Sequence, residues 1–396
     1  MKIYIVGIGM DGGKTLTAEA GKAIKNADVI IGAKRMTEQF AASGKTVFES
    51  WRPDEIHAYI NGCGKDSAAV LMSGDCGFFS GAKALVHQLT GYDTEIIPGI
   101  STPVYLCAKL GITWQDMQFV SLHGTDANIA LNVRRNAKCF FLLGGNVTPA
   151  DICRRLCGYG MSGVTVHIGA RLAYPEECII SGPASELTDV SCDGLCAVIT
   201  ENPKPENCIR TGIPDSGFER GNVPMTKSEI RAVLASKLEI CYNDTVWDIG
   251  CGTGSVSVEC ALAAYDGTVF AVDKNDEAAA LTELNARKFG CDNIRVIRGA
   301  APGVLNELPR PGKVFIGGAN GNISAILDAA LEDNNYPKTV ITAVSVETLN
   351  EAAEAVKAHN MIPEITQISA VRYKKLGKHT MPDTQNPVYI IEGTFL

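Results

Sequence analysis

No apolar run in this 396-residue chain approaches the roughly 18 residues that a membrane-spanning helix needs. Basic residues are not in excess: the formal net charge is −8. That removes the electrostatic footprint of a nucleic-acid binder, but not anionic small molecules, which local clusters can meet. Lys2 leads straight into a strand pattern, without the apolar stretch and cleavage site of a signal peptide. There is no C-x-x-C, although the chain has 14 cysteines. Cys107, Cys139, Cys241 and Cys260 lie inside apolar or helical runs, where cysteine acts as a small hydrophobe. His57, His87, His167 and His359 are scattered singly, so no metal site is expected. These absences point to a globular protein in a reduced, cytoplasmic setting, with neither nucleic acid nor membrane as partner.

What is present is 46% apolar and 20% charged sequence, enough for two cores and hence two domains. From 1 to about 200, short β-runs ending in glycine or turn residues alternate with helical stretches such as 16–27 and 102–110. The β-runs are IYIVGIG, DVIIGA, AAVLMSG, TEIIPG, QFVSLHG, CFFLLGG, VTVHIGA and LCAVITE. Residues 201–226 carry four prolines and little periodicity, which reads as a linker. The alternation then restarts with TVWDIG, TVFAVD, NIRVIRG, KVFIGG, TVITAV, a long run at 361–373 and PVYIIEG. The expected division is 1–205, a linker at 206–224, and 225–396, with α/β architecture on both sides.

Each half has a glycine-rich turn. Gly7-Ile8-Gly9-Met10-Asp11-Gly12 fits the dinucleotide pattern G-x-G-x-x-G, which invites an NAD-dependent oxidoreductase reading. The follow-through fails: the next strand ends in Gly32-Ala33-Lys34-Arg35, with no acid placed for a ribose. The second turn, Asp248-Ile249-Gly250-Cys251-Gly252-Thr253-Gly254, breaks that pattern. Its leading carboxylate would repel a diphosphate but suits a cationic or amino-bearing ligand, and its glycines let backbone approach a nucleoside. Asp273 ends the following strand, where a carboxylate can accept hydrogen bonds from ribose hydroxyls. Gly299-Ala300-Ala301 follows the third strand as a small-residue loop suited to an adenine ring. An adenosine site with an acidic end for a zwitterionic tail describes S-adenosylmethionine. Upstream, Thr226-Lys227-Ser228-Glu229 reads as a capping box opening a helix with Ile230, Val233, Leu234 and Leu238 on one face. Thr226 can cap, contact the ligand, or both.

PMTKSEIRAVL, WDIGCGTGSVSVE, AVDKN, RGAAPGVLNELP, VFIGGANG and QNPVYIIEG together resemble the decarboxylating precorrin methyltransferases of cobalamin synthesis over about 218–396. In that family, carbon 15 of the corrinoid ring is methylated and the ring C acetate loses its carboxylate. VGIGMDGGKTLTAEAGKAIKNADVIIGAKR, LMSGDCGFFSGAKAL, IIPGISTPVYLCAKLGITWQD and VSLHGTDAN resemble the class III tetrapyrrole methyltransferases, and among them the carbon-5 enzymes. The resemblance implies a class III domain of two α/β subdomains followed by a class I Rossmann-like domain. It further implies a precorrin or cobalt-precorrin substrate, two S-adenosylmethionine sites per chain and a homo-oligomer. For the second domain it implies cofactor contacts at Thr226, Gly250, Cys251, Gly252, Thr253, Gly254, Asp273 and Ala301. In the first, Gly74, Asp75, Gly99 and Ser101 match the family's cofactor-facing segments, with Asp75 also readable as a turn former. The chain departs from the family's usual loops at Met10-Asp11, at Cys76 in place of proline, and at Thr125 in place of arginine.

Methyl transfer to an electron-rich ring carbon needs alignment and water exclusion more than a dedicated base, so no catalytic residue is named. The substrate's carboxylates call for cations. Arg372, Lys374 and Lys375, with Lys378 and His379, are expected in a loop between the last two strands, as substrate ligands or as a solvated face. Lys227 and Arg231 are further candidates. Glu347 can touch substrate or cap the helix that it opens, and His123 can line a pocket or be structural. Three other readings compete: the oxidoreductase, a class I methyltransferase of another small molecule with a regulatory first domain, and a non-catalytic tetrapyrrole carrier.

Overall fold

A computed structural model describes residues 1–11, 13–123, 127–206, 208, 211–318 and 321–395. Two compact units emerge: Met1–Thr125 with Ala137–Arg154 and Gly163–Pro203, and Asp126–Asn136 with Arg155–Ser162 and Lys204–Leu396.

In the first unit, the near-continuous apolar runs form a parallel sheet covered on both faces, the burial that such runs require. Its strands are β1 (Lys2–Gly7), β2 (Val29–Gly32), β3 (Thr46–Glu49), β4 (Ser67–Met72) and β5 (Asp93–Ile97), in the order β3-β2-β4-β1-β5. Ile3 and Ile5 face one core and Val6 the other. Thr17 opens the helix Ala18–Asn26, its hydroxyl accepting the Ala20 N–H at 3.1 Å. The second sheet is mixed: β6 (Met117–Ser121), β7 (Lys138–Leu142), β8 (Thr165–Ala170), β9 (Cys178–Pro183) and β10 (Cys196–Glu201), ordered β6-β7-β10-β8-β9. Only β6 and β7 pair in parallel. Strands β3 and β9 are additions to the strands expected from sequence. Both are half-exposed, so neither carries the apolar run that marks the others.

The second unit carries β11 (Thr245–Ile249), β12 (Thr268–Asp273), β13 (Ile294–Arg298), β14 (Lys313–Ile316), β15 (Lys338–Ala343), β16 (Met361–Ile368), β17 (Val371–Leu376), β18 (His379–Thr384) and β19 (Val388–Phe395). Seven of these form one sheet, β13-β12-β11-β14-β15-β19-β16, in which β19 runs antiparallel to both of its neighbours, β15 and β16. The order reverses between β11 and β14, which opens a crevice beyond the carboxyl ends of the strands. The run at 361–373 breaks at residues 369–370, and β17 pairs with β18 in a separate hairpin. Arg372, Lys374, Lys375 and His379 therefore lie on paired strands, not in the expected loop.

The stretch expected as a linker is packed from residue 211 onward. Ile213, Phe218 and Met225 belong to the second unit's core, and Glu259 accepts the N–H groups of Gly212 and Ile213 at 2.8 and 3.0 Å. The helix Ser228–Leu238 buries Ile230, Leu234 and Leu238 as expected. Its N-cap, however, is Lys227 with no side-chain cap, and Glu229 turns away to Arg372. The capping box does not form.

Candidate active sites

The second unit's site grows from the turn after β11. Gly250, Gly252 and Gly254 all have positive φ, at 76°, 56° and 72°. A Cβ on Gly250 would lie 2.7 Å from the Gly318 nitrogen, and one on Gly252 would lie 2.6 Å from the Pro224 carbonyl oxygen. Only glycine satisfies both the backbone and the space. Asp273, at the tip of β12, accepts the Gly252 N–H at 3.0 Å on one oxygen and the Asn275 N–H at 2.9 Å on the other. Each carboxylate oxygen keeps a further lone pair. Asn275 in turn caps the helix Asp276–Phe289.

These turns surround a cavity of about 320 Å³, whose walls include Thr226, Gly250, Cys251, Gly252, Asp273, Ala300 and Ala301. Seven of the residues expected to meet the cofactor thus come together. Lys274, Asn275, Gly299, Gly317, Gly318 and Asn322 also belong to the walls. Of these six, Gly299 stands in the adenine loop expected from the sequence, and the other five were not expected. The signal for Gly317-Gly318 was the same as for the others, a glycine pair closing an apolar strand.

Three expected contacts lie elsewhere. Asp248 is 0% exposed; the Ser257 hydroxyl donates to its Oδ2, and its Oδ1 has no partner among the described residues. Burial outweighs the Ser257 bond and pushes its carboxyl up to about 7. Asp248 therefore supports the loop from beneath and does not touch the cavity. Thr253 is buried, its carbonyl accepting the Asn285 amide at 2.8 Å. Gly254 is the N-cap of the helix Ser255–Ala263 and packs on Thr282.

The cations fare differently from expectation. Arg231 is 1% exposed and spent inside the unit: Nε donates to Glu259 at 2.7 Å, Nη1 to Asp215 at 2.9 Å, and further bonds reach the Thr226 and Ile213 carbonyls. Arg372 grips Glu229 at 2.6 and 2.9 Å and Asp215 at 2.8 Å, and this pairing holds the Glu229 carboxyl down at about 2. Lys374 pairs with Asp383 at 2.6 Å. Lys375 is exposed on β17, and Lys227 is half-buried outside the cavity walls. Glu347 is exposed in the first turn of the helix Val346–Ala358, whose cap is Ser345. None of these groups lines the cavity, and the two arginines are claimed by carboxylates distant in sequence.

In the first unit, the glycines of the opening turn meet backbone. A Cβ on Gly7 would sit 2.6 Å from the Gly99 nitrogen, and one on Gly99 would sit 2.2 Å from the Gly74 carbonyl oxygen. Gly9 bridges to Gly74. Asp11 folds the turn on itself. Its partial burial opposes ionisation, but the Thr15 hydroxyl and the N–H groups of Gly13, Thr15 and Lys14 together lower its pKa. Cys76 is buried and directs its thiol at the carbonyls of Ile5 and Ile97; burial, then the Asp75 charge, pushes that thiol up to about 12.

The strand ends enclose a cavity of about 390 Å³ in which Gly74, Asp75 and His123 are joined by Met10, Arg35, Phe78, Phe79 and Arg171. Asp75 accepts the Gly77 N–H at 2.8 Å and the Gly99 N–H at 2.9 Å. Gly99 lies behind the wall, and Ser101 lines an adjoining groove. Thr125 lies outside the described residues. Among the described residues, no group of His, Cys, Asp and Glu could hold a metal ion, and no helix is long and apolar enough to cross a membrane.

Comparison with known proteins matches residues 217–394 to the precorrin methyltransferase domain and residues 2–188 to the tetrapyrrole (corrin/porphyrin) methylases. A probable cobalt-precorrin-6B C(15)-methyltransferase (decarboxylating) of Pyrobaculum calidifontis is 45% identical over 183 residues, covering 46% of this chain and 94% of its own length. A Sinorhizobium precorrin-6Y C(5,15)-methyltransferase, also decarboxylating, is 28% identical over 339 residues, or 83% of this chain and 81% of that one. A solved precorrin-6Y C5,15-methyltransferase from Geobacter metallireducens is 34% identical, covers 47% of this chain and 96% of its own, and superposes with a TM-score of 0.44.

Proposed function

The chain belongs to the decarboxylating precorrin methyltransferases, with a tetrapyrrole methylase domain ahead of the precorrin methyltransferase domain, and from that premise we propose a bifunctional enzyme of corrin-ring synthesis. It methylates a precorrin or cobalt-precorrin at carbon 5 through residues 1–205. Residues 225–396 methylate carbon 15 and release the ring C acetate carboxylate. Each domain takes its own S-adenosylmethionine, and the enzyme works in the cytoplasm as a homo-oligomer.

The observation that supports this reading most is the glycine cradle facing Asp273 at the point where the strand order reverses. When bound there, S-adenosylmethionine supplies a methyl group on a positively charged sulfur. Asp273 would hold the ribose hydroxyls through its free lone pairs. Ala300 and Ala301 leave room for the adenine, and the Gly250–Gly252 backbone approaches the sugar and tail. The described walls hold one acid, Asp273, and one cation, Lys274, and no histidine. The chain's contribution is then alignment and exclusion of water, while the macrocycle's conjugated system is the electron sink for decarboxylation.

Mass spectrometry of the product formed from a cobalt-loaded and from a metal-free precursor tests the proposal. It expects a gain of two methyl groups and loss of one carbon dioxide with one of the two precursors. Unchanged precursor in both arms would overturn it.

A further inference from the structure

In the first unit, β2 ends in Gly32 with no acid for a ribose, and Arg35, in the helix Lys34–Thr37 that follows, lines the cavity. Arg35 is exposed there and forms no hydrogen bond or ion pair among the described residues. Arg171 lines the same cavity in a left-handed backbone conformation, φ 48°, which a long side chain adopts at a cost. Its guanidinium is held loosely, 3.4 Å from the Asp193 carbonyl and 3.8 Å from Glu176. Asp75 is the only acid among the described walls, and backbone N–H groups already engage both of its oxygens. The cavity therefore presents two underused guanidinium groups and one carboxylate, each of whose oxygens already accepts a backbone N–H.

Beside it, sharing Asp75, Phe78 and Phe79, runs a groove faced by Val104, Trp114 and Phe119. Phe79 is half-exposed and, like Arg171, has positive φ, 44°. An apolar aromatic face next to a cationic wall suits a flat macrocycle whose rim carries carboxylates, because the face stacks while the rim finds guanidinium forks.

We propose that Arg35 and Arg171 are the carboxylate ligands of the first unit's site and select an acidic macrocycle for the carbon-5 reaction. The assignment rests on the tetrapyrrole reading of that domain. The carboxylates are those of the macrocycle rim, not the amino-acid tail of the cofactor.

Two arms test it in the full chain. In the first, Arg35→Gln and Arg171→Gln, singly and together, are assayed for carbon-5 and carbon-15 methylation with tetrapyrrole and S-adenosylmethionine varied in turn. Each substitution is expected to raise the tetrapyrrole KM for carbon 5 about tenfold, the loss of one charge-assisted bond. The cofactor KM and carbon-15 turnover stay unchanged, and Arg35→Lys recovers part of the loss. A rise in the cofactor KM instead, or unchanged carbon-5 kinetics, overturns the assignment. In the second arm, uroporphyrin III, a macrocycle with a carboxylate on every peripheral side chain, is titrated by its fluorescence. The double variant is expected to lose one bound equivalent that the wild type retains, and equal binding by both overturns the proposal. Failure of the wild type to methylate any tetrapyrrole would instead sink the functional reading, while the porphyrin titration would still decide the role of the arginines.

Discussion

The two glycine-rich turns of this chain have exchanged the roles that their patterns advertise. Gly7 to Gly12 matches the dinucleotide motif, yet Gly7 is small because the backbone of Gly74 and Gly99, just beyond β4 and β5, presses against it, and Gly9 because its φ is positive and Thr15 packs on it. Gly250 to Gly254 fails the motif, yet its first three residues line a cavity with a carboxylate opposite. A motif of small residues reports close approach. What approaches, whether main chain or ligand, is set by the next strand, which ends in Asp273 in one unit and leads to Arg35 in the other.

The largest effect that would sharpen this contrast comes from Asp273→Ala. Removing two charge-assisted acceptors should lower carbon-15 methylation by about 100-fold or more, with carbon-5 methylation unchanged in the same preparation. Equal loss of both activities would break the contrast. Next, Asp248 provides a test by pH. Its carboxyl is raised from an ordinary 3.8 to about 7 by burial, so the folded state holds a proton that the unfolded chain has released. Stability from this group is present below about pH 4 and lost as pH rises toward 7, on the order of 4 kcal/mol across the interval. Asp248→Asn should flatten that part of the denaturation-versus-pH curve and leave the first unit's unfolding alone; an unchanged slope would contradict it.

Gly7→Ala should then destabilise the first unit by about 1–3 kcal/mol through overpacking against Gly99 and Gly74. Denaturant melts followed on each unit would show the second unmoved. If Gly7→Ala instead left stability intact and weakened cofactor binding, the first turn would be a ligand loop after all. The smallest effect belongs to Lys374→Ala on the exposed β17–β18 hairpin. Breaking its surface pair with Asp383 should change stability by less than about 1 kcal/mol, and carbon-15 turnover should stay within twofold or so on the same grounds of exposure.

The same contrasts run through what the sequence makes legible. Strands buried on both faces were legible as apolar runs, and the walls at Gly250–Gly252, Asp273 and Ala300–Ala301 were legible because each follows such a run. β3, β9 and the β17–β18 hairpin were not, since their half-exposed or exposed strands mix polar and apolar residues. The arginines were misjudged for another reason. Whether a guanidinium is free depends on carboxylates that meet it only in the fold, and Asp215, Glu229 and Glu259 are spread over more than forty positions. Arg231 and Arg372 carry the charge expected of substrate ligands but are consumed as internal fasteners. Arg35 drew notice only as a missing acid, yet it faces a cavity.

The most direct test counts cofactor sites by calorimetric titration of S-adenosylmethionine into the full chain, wild type against Asp273→Ala. Two sites per wild-type chain are expected and one in the variant, the survivor belonging to the first unit. A single wild-type site that persists at full affinity in Asp273→Ala would contradict this expectation.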